Sequence, residues 1–165
     1  MKTTALILAC GLALMPAAFA AQFQPYPGAT LNDELTKEVH AELAKARPRA
    51  QLLYGEPKIY TTTASFEEVL AFYKNLGAKE FMLATPYSTG PHEETIPAEM
   101  IEGAPPGGIK FKKAILILDG SPEPYKSTCW VEISYPLAGK MVGKKIRDIE
   151  KVTGITYVNK SEPLD

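Results

Sequence analysis

Cysteine, histidine and tryptophan are scarce in this chain of 165 residues, which contains two, two and one of them. Cys10 lies in an apolar N-terminal run, so a chain that loses this run keeps only Cys129 and cannot form an internal disulfide. A catalytic triad needs a placed histidine, whereas His40 lies among charged residues and no G-x-S-x-G motif is present. We therefore expect stability from packing and no catalytic residue of the triad type.

Motifs for metal and nucleotide cofactors are also missing. His92, Glu93, Glu94 and Glu99 are the one local cluster of metal-ligand types, but Ile96 stands where a zinc-binding helix needs its second histidine. The segment 139–145 has three residues between its glycines, where a phosphate loop has four, and a lysine where that loop has serine or threonine. The sequence therefore predicts no metal site and no cofactor.

Neither sign of charge is in excess, because 18 Lys and Arg stand against 19 Asp and Glu. Nucleic acid is therefore not an expected partner. The local basic excess at Lys140, Lys144, Lys145 and Arg147 is a candidate anion-binding patch for a headgroup or a glycan.

The N-terminus, residues 1–20, has the pattern of an export signal peptide. Lys2 gives a basic start, Ala5 to Leu14 is apolar, and small residues at Ala18 and Ala20 suit cleavage after Ala20. This run is shorter than the roughly 18 to 20 apolar residues that a membrane span needs. We expect an exported protein, periplasmic or extracellular, that does not span the membrane once cleaved. A lipid-bearing Cys10 is the alternative.

The rest of the chain predicts an extended arm at 21–30 and one domain at 31–165. Apolar residues at intervals of four predict a helix over 31–46 with Thr30 as its N-cap. Ser65 and Glu68 form a capping box, which predicts a second helix over 66–76. Strands are predicted at 58–63 and 78–83, and their relation, parallel or antiparallel, stays open.

A long loop is predicted at 84–108, where nine of 25 residues are proline or glycine. Such a loop is either functional or simply mobile. Alternation then predicts two antiparallel strands, 109–118 and 128–135. In the second strand Cys129, Val131 and Ile133 share the apolar side. The tail is ambiguous, since 143–153 permits a short helix and 155–158 favours a strand.

Two segments carry a resemblance. The YPGA turn at 26–29 and the YTTTASFEEVLAFY segment at 60–73 resemble a pattern of small exported bacterial proteins of uncharacterised function. The resemblance implies kinship of fold and no activity.

The fold expected from these signals is α+β, a mostly antiparallel sheet of four or five strands with both helices packed on one face. The expected function is a non-catalytic binding or assembly module of the cell envelope, whose partner is an envelope protein, a glycan or a small molecule. The expected interaction surface is an open sheet face with Trp130, Glu132, Lys110 and Lys112.

Two alternatives stay open. One is a hydrolase or isomerase that uses carboxylates of the 84–108 loop. The other is a carrier of an apolar ligand held between helices and sheet, lined by Phe66, Phe72, Tyr73 and Phe111. A cavity of about 300 Å³ with converging polar groups would favour both alternatives over the module.

Overall fold

The computed structural model describes residues 22–45, 55–80, 91–121, 126–137, 139, 141–142 and 145–160. In chain order the elements are β1 (Thr30–Leu31), α1 (Asp33–Lys45), β2 (Lys58–Thr62), α2 (Phe66–Asn75), β3 (Lys79–Glu80), β4 (His92–Ile96), a 3₁₀ turn (Ala98–Met100), β5 (Ile109–Ile117), β6 (Cys129–Tyr135), β7 (Met141–Val142), β8 (Lys145–Ile146) and β9 (Thr153–Asn159).

Seven strands form one antiparallel sheet in the order β1-β2-β9-β6-β5-β3, with β4 also pairing β5. The α+β prediction is therefore confirmed, although the sheet has more strands than the four or five expected. The additional strands are β1, which has only two residues, and β4, which lies within the predicted loop 84–108. Strands β2 and β3 are not neighbours in the sheet. Since each of the four pairings from β2 through β9, β6 and β5 to β3 is antiparallel, β3 runs in the same direction as β2, and the parallel alternative holds.

Part of the predicted loop 84–108 is strand. Residues 84–90 lie outside the described part, but β4 pairs with β5 over its whole length, from His92 opposite Lys113 to Ile96 opposite Ile109. Gly108 permits this return, because its φ is +80° and a Cβ there would collide with the carbonyl oxygen of Ile96. The proline and glycine content therefore marks the turns around a strand rather than a continuous loop.

The hydrophobic core lies between α2 and one face of the sheet. Phe66, Val69 and Tyr73 of α2 are buried against a layer of strand residues. That layer contains Ala114, Leu116, Val131, Ile133 and Ile155. The alternation along β6 therefore placed the apolar side correctly, whereas in β5 the core residues Ala114 and Leu116 lie on the side of Lys110 and Lys112.

The first helix begins later than the sequence suggests. Thr30 and Leu31 pair with β2, so the expected N-cap belongs to a strand. Asn32 instead caps α1, and its side-chain oxygen accepts a hydrogen bond of 2.9 Å from the Leu35 N–H. Pairing with the sheet thus delays the helix by two residues.

The two helices do not share a face of the sheet. Leu35 and Val39 of α1 line a cleft whose opposite wall includes Glu132 and Thr156. In β6, Glu132 points away from the face that holds Val131 and Ile133. The expectation that both helices pack on one face is therefore wrong in this respect, because sequence periodicity shows that a helix is amphipathic but not which face it covers.

The arm and the tail complete the fold. In the arm, the ring of Phe23 stacks on Tyr157 with 3.8 Å between centroids, and the Ala29 N–H donates to the Tyr26 carbonyl at 2.9 Å, as the expected turn requires. The tail forms β8 and β9 with an isolated bridge at Glu150 between them, and the described residues 145–160 contain no helix. Among the described residues, neither helix is long and apolar enough to span a bilayer.

Candidate functional site

The residues expected to form an interaction surface do not lie together. Trp130 is 4% exposed, so its expected exposure is wrong. In the sheet its neighbours are Ile117 and Val158, both buried, and the Lys160 ammonium lies 4.8 Å from its ring centroid. The side of β6 that carries Trp130 is polar at Glu132 and Ser134, but around Trp130 itself it is apolar and buried.

The three charged members of that surface are divided between the two sides of the sheet. Lys110 and Lys112 lie on the same side of β5 as the core residue Ala114, and Lys112 forms an ion pair with Glu67 of α2. The hydrogen bond to Glu67 raises the pKa of Lys112. Glu132 lies on the opposite side and pairs with Lys113 at 2.8 Å. The four residues therefore form no single surface.

The expected anion-binding patch is described only in part. Lys140 and Lys144 lie outside the described residues, whereas Lys145 is exposed in β8. Arg147 forms an ion pair with Glu102, which neutralises its charge locally. The described part of this patch therefore contains two exposed cations, and one of them, Arg147, is in an ion pair.

A cleft of about 330 Å³ lies between α1 and the sheet face opposite α2. The apolar part of its wall comes from one helix, three strands and the segment after β6. These residues are Leu35, Val39, Ile59, Ile96, Phe111 and Leu137. None of the residues of α1 is fully buried, so the helix presents half-exposed leucine and valine side chains to the cleft.

Three hydrogen bonds hold α1 beside β2. The Asn32 N–H donates to the Ile59 carbonyl at 2.8 Å, and the Ile59 N–H donates to the Thr36 hydroxyl at 3.0 Å. Nε2 of His40 donates to the Pro57 carbonyl at 2.7 Å. These bonds attach α1 alongside β2. The apolar side chains Leu35 and Val39 of the helix then face the sheet across the cleft.

The polar groups of the cleft lie on its sheet wall. Lys113 and Glu132 form an ion pair of 2.8 Å, with side chains 40% and 24% exposed. Ser134 and Thr156 add hydroxyl groups to the same wall. A few polar groups within an apolar lining are typical of small-molecule sites.

Two further cavities adjoin the cleft, with volumes of about 180 and 480 Å³, and both share Leu35 and Gly139 with it. Carboxylates line the first, namely Glu34, Glu38, Asp148 and Glu150. A Cβ at Gly139 would collide with the carbonyl oxygen of Arg147, so glycine lets the two segments meet there. Asp148 has a φ of 56°, which is uncommon outside glycine.

The cleft differs from the ligand site expected from the sequence. Of the four aromatic residues expected to line it, Phe111 does so, whereas Phe66 and Tyr73 are buried in the α2 core and Phe72 packs against that core. That expectation is therefore wrong for α2. The apolar stripe of leucine and valine along α1 was the only sequence signal for this cleft. A helix that packs on a closed core has the same apolar stripe, so the sequence does not distinguish the two cases.

The cysteine, histidine and carboxylate side chains bear on two other kinds of chemistry, metal binding and thiol reactivity. Within the described residues, no group of three or more His, Cys, Asp and Glu side chains is placed to hold a metal ion. Cys129 is half-buried on the α2 side, 3.6 Å from the Tyr157 hydroxyl, and burial raises the pKa of its thiol. A thiol with a raised pKa is a poor nucleophile at neutral pH.

Comparison with models of protein families, with characterised proteins and with solved structures found no match for this chain. The resemblance of segments 26–29 and 60–73 to small exported bacterial proteins therefore stays an expectation.

Proposed function

We propose that the protein is an exported, non-catalytic binding module of the carrier type, which holds a small, largely apolar ligand in the cleft under α1; a cavity of this size favours the carrier over an assembly module. The observation that carries the proposal is the cleft itself. Its volume of about 330 Å³ falls in the range of ligand pockets, roughly 300 to 1,000 Å³, and polar groups converge on one wall.

The contrast between the two faces of the sheet supports this role. On the α2 face, Val69, Leu116 and Ile133 are fully buried in the main core. On the α1 face, Leu35 and Val39 stay half-exposed beside the cleft. A ligand seated there would remove their apolar surface from water, which stabilises a complex by about 25 cal/mol per Å².

The cellular part of the proposal rests on the sequence. The signal-like segment 1–20 supports export, with the mature chain starting at Ala21. Export places the ligand among small molecules of the envelope or its surroundings.

Binding of the neutral dye Nile red tests the cleft. We expect saturable binding with one dye per chain, seen as a fluorescence increase. Val39→Trp fills the cleft from α1 and should weaken binding at least about tenfold, because a ligand cannot share the space. Lys37→Trp is the matched control, since it adds the same side chain at an exposed α1 position outside the cleft lining. Its affinity should equal that of the wild type.

Two results would refute the cleft as the binding site. One is the absence of saturable dye binding by a folded protein. The other is an equal affinity in Val39→Trp and the wild type.

A hydrolase or isomerase is a second candidate, because Glu94 comes from the 84–108 segment and lines the cleft. Glu132 lies in the same lining and is paired with Lys113. Turnover of a short-chain 4-nitrophenyl ester that is lost in Glu94→Gln would favour this candidate. A bound ester that is recovered unchanged would favour the binding module.

A further inference from the structure

We infer that the ligand of the cleft is a neutral amphiphile whose head group carries two adjacent hydroxyls, as in a glycerol monoester, and that Ser134 and Thr156 bind this head group. The inference rests on the proposed function and adds the chemical class of the ligand's polar end. It is carried by the arrangement of the polar side chains on the sheet wall of the cleft.

Four polar side chains lie next to one another on that wall because of the strand register. Lys113 of β5 is opposite Ser134 of β6, and Glu132 of β6 is opposite Thr156 of β9. Positions 132 and 134 are two apart in one strand, so their side chains point to the same face. All four residues line the cleft and form a polar strip across three strands.

Within this strip the charged groups are paired and the hydroxyls are not. The Lys113 ammonium and the Glu132 carboxylate lie 2.8 Å apart. In the part of the chain that the structure describes, no hydrogen bond engages the hydroxyl of Ser134 or Thr156. Each hydroxyl can donate one hydrogen bond and accept others, so these two groups are the ones available to a neutral ligand.

Apolar surface adjoins the strip directly. A Cβ at Gly154 would lie 2.6 Å from Cδ1 of Leu137 and 3.0 Å from Oγ of Ser134, so these two groups share the space that a side chain at 154 would need. Leu35 and Val39 form the wall on the helix side. A ligand whose chain lies against these leucine and valine side chains therefore places its head at the Ser134 hydroxyl.

The spacing of the two hydroxyls favours a diol over a single hydroxyl group. Ser134 is opposite Gly154, so Thr156 is its diagonal neighbour, and such neighbours lie roughly 7 to 8 Å apart on a sheet. One ligand oxygen that forms two hydrogen bonds of about 2.8 Å spans at most roughly 5.5 Å. A second oxygen on the next carbon lengthens this reach by about one hydrogen bond, to roughly 8 Å.

Four ligands with the same eight-carbon body test the head group: 1,2-octanediol, 1-octanol, octanoate and octylammonium. Each competes with Nile red at pH 7. We expect 1,2-octanediol to bind at least about threefold more tightly than 1-octanol, although it is the more water-soluble compound, because it forms a further hydrogen bond with the wall. Both charged ligands should bind more weakly than the diol, because Lys113 and Glu132 already pair with each other and a charged head loses water without gaining a partner.

Two variants locate the effect. Ser134→Ala and Thr156→Val each remove one hydroxyl with little change of shape, and each should abolish the preference for the diol over 1-octanol. Nile red should still bind to both variants, which shows that the cleft is intact. Thr61→Val is the matched control, since it makes the same change at a half-buried strand position outside the cleft lining and should keep the preference.

The outcomes separate this inference from the proposed function. Diol binding no tighter than that of 1-octanol, or weaker than that of either charged ligand, overturns the head-group class, and Nile red binding that is sensitive to Val39→Trp then leaves the carrier intact. A preference that survives in both Ser134→Ala and Thr156→Val, or that is lost in Thr61→Val, also overturns the assignment to these hydroxyls. Failure of Nile red and of all four ligands to bind refutes both proposals.

Discussion

Trp130 shows, at the scale of one residue, that polarity and exposure differ along a single strand. Glu132, two positions away on the same face, is polar and part-exposed, but the tryptophan is buried between Ile117 and Val158 with Lys160 over its ring. Its role is therefore packing, strengthened by the attraction between the ammonium group and the ring face.

Truncation of this residue measures that role. Trp130→Ala should lower the free energy of unfolding by about 3 to 5 kcal/mol, as core truncations of this size do. Trp130→Phe keeps a ring beneath Lys160 and should cost less. Urea titration of both variants against wild type decides the point, and a loss below about 1 kcal/mol for Trp130→Ala would mean that the side chain is exposed in solution.

The Asp119 side chain stabilises the turn between β5 and β6. Its carboxylate accepts hydrogen bonds from the Thr128 N–H at 2.6 Å, from the Ser121 N–H at 3.0 Å and from the Ser127 hydroxyl at 3.0 Å. Burial by itself would raise the pKa of Asp119, but these hydrogen bonds to the charged form outweigh it and lower the pKa.

A lowered pKa makes this turn sensitive to acid. The contribution of Asp119 to stability is present above its ordinary pKa of about 4 and is lost as the pH falls through the lower pKa of the folded state. Asp119→Asn should therefore cost about 1 to 3 kcal/mol at pH 7 and less at pH 2 to 3. Denaturant titrations at both pH values measure this, and a cost that does not change with pH would show that the carboxylate charge contributes nothing.

Helix α2 shows how local signals act at the scale of an element. The Ser65 hydroxyl accepts from the Glu68 N–H at 3.3 Å, and the Glu68 carboxylate accepts from the Ser65 N–H at 2.8 Å. This is the capping box that the sequence predicts, and the helix it starts covers the main core.

Removal of the cap should weaken this helix. Ser65→Ala should cost about 1 kcal/mol of unfolding free energy, whereas Ser65→Gly should cost only a few tenths, because glycine is a tolerated N-cap. Thermal or urea unfolding of the two variants provides the measurement. A Ser65→Ala variant as stable as the wild type would place the start of the helix elsewhere.

Elements with strong local signals were predictable, and elements formed by pairing were not. Strands β5 and β6 and helix α2 follow from alternation, apolar spacing and a cap, which are properties of neighbouring residues. Strands β1 and β4 form because a longer strand offers them hydrogen bonds at distant positions. Such pairing also displaced the N-cap of α1 from Thr30 to Asn32.

The candidate site emerges only at the scale of the whole molecule. Its lining combines Leu35 of α1, Ile59 of β2, Phe111 of β5 and Thr156 of β9, which are far apart in sequence. The sequence predicts that α1 has an apolar stripe. Which face of the sheet α1 covers depends on the pairing of β1, directly before the helix, with β2. The position of the cleft therefore follows from topology rather than from a motif.

The most direct test of the central claim, that the cleft under α1 holds a ligand, is an NMR titration of isotope-labelled protein with 1-octanol. We expect amide shifts concentrated at cleft residues such as Leu35, Val39, Phe111 and Thr156. We expect little change in the amide shifts of Val69 and Leu116, which lie in the buried core on the other face of the sheet. Shifts confined to that core, or no shifts from a folded protein at the solubility limit of the alcohol, would contradict it.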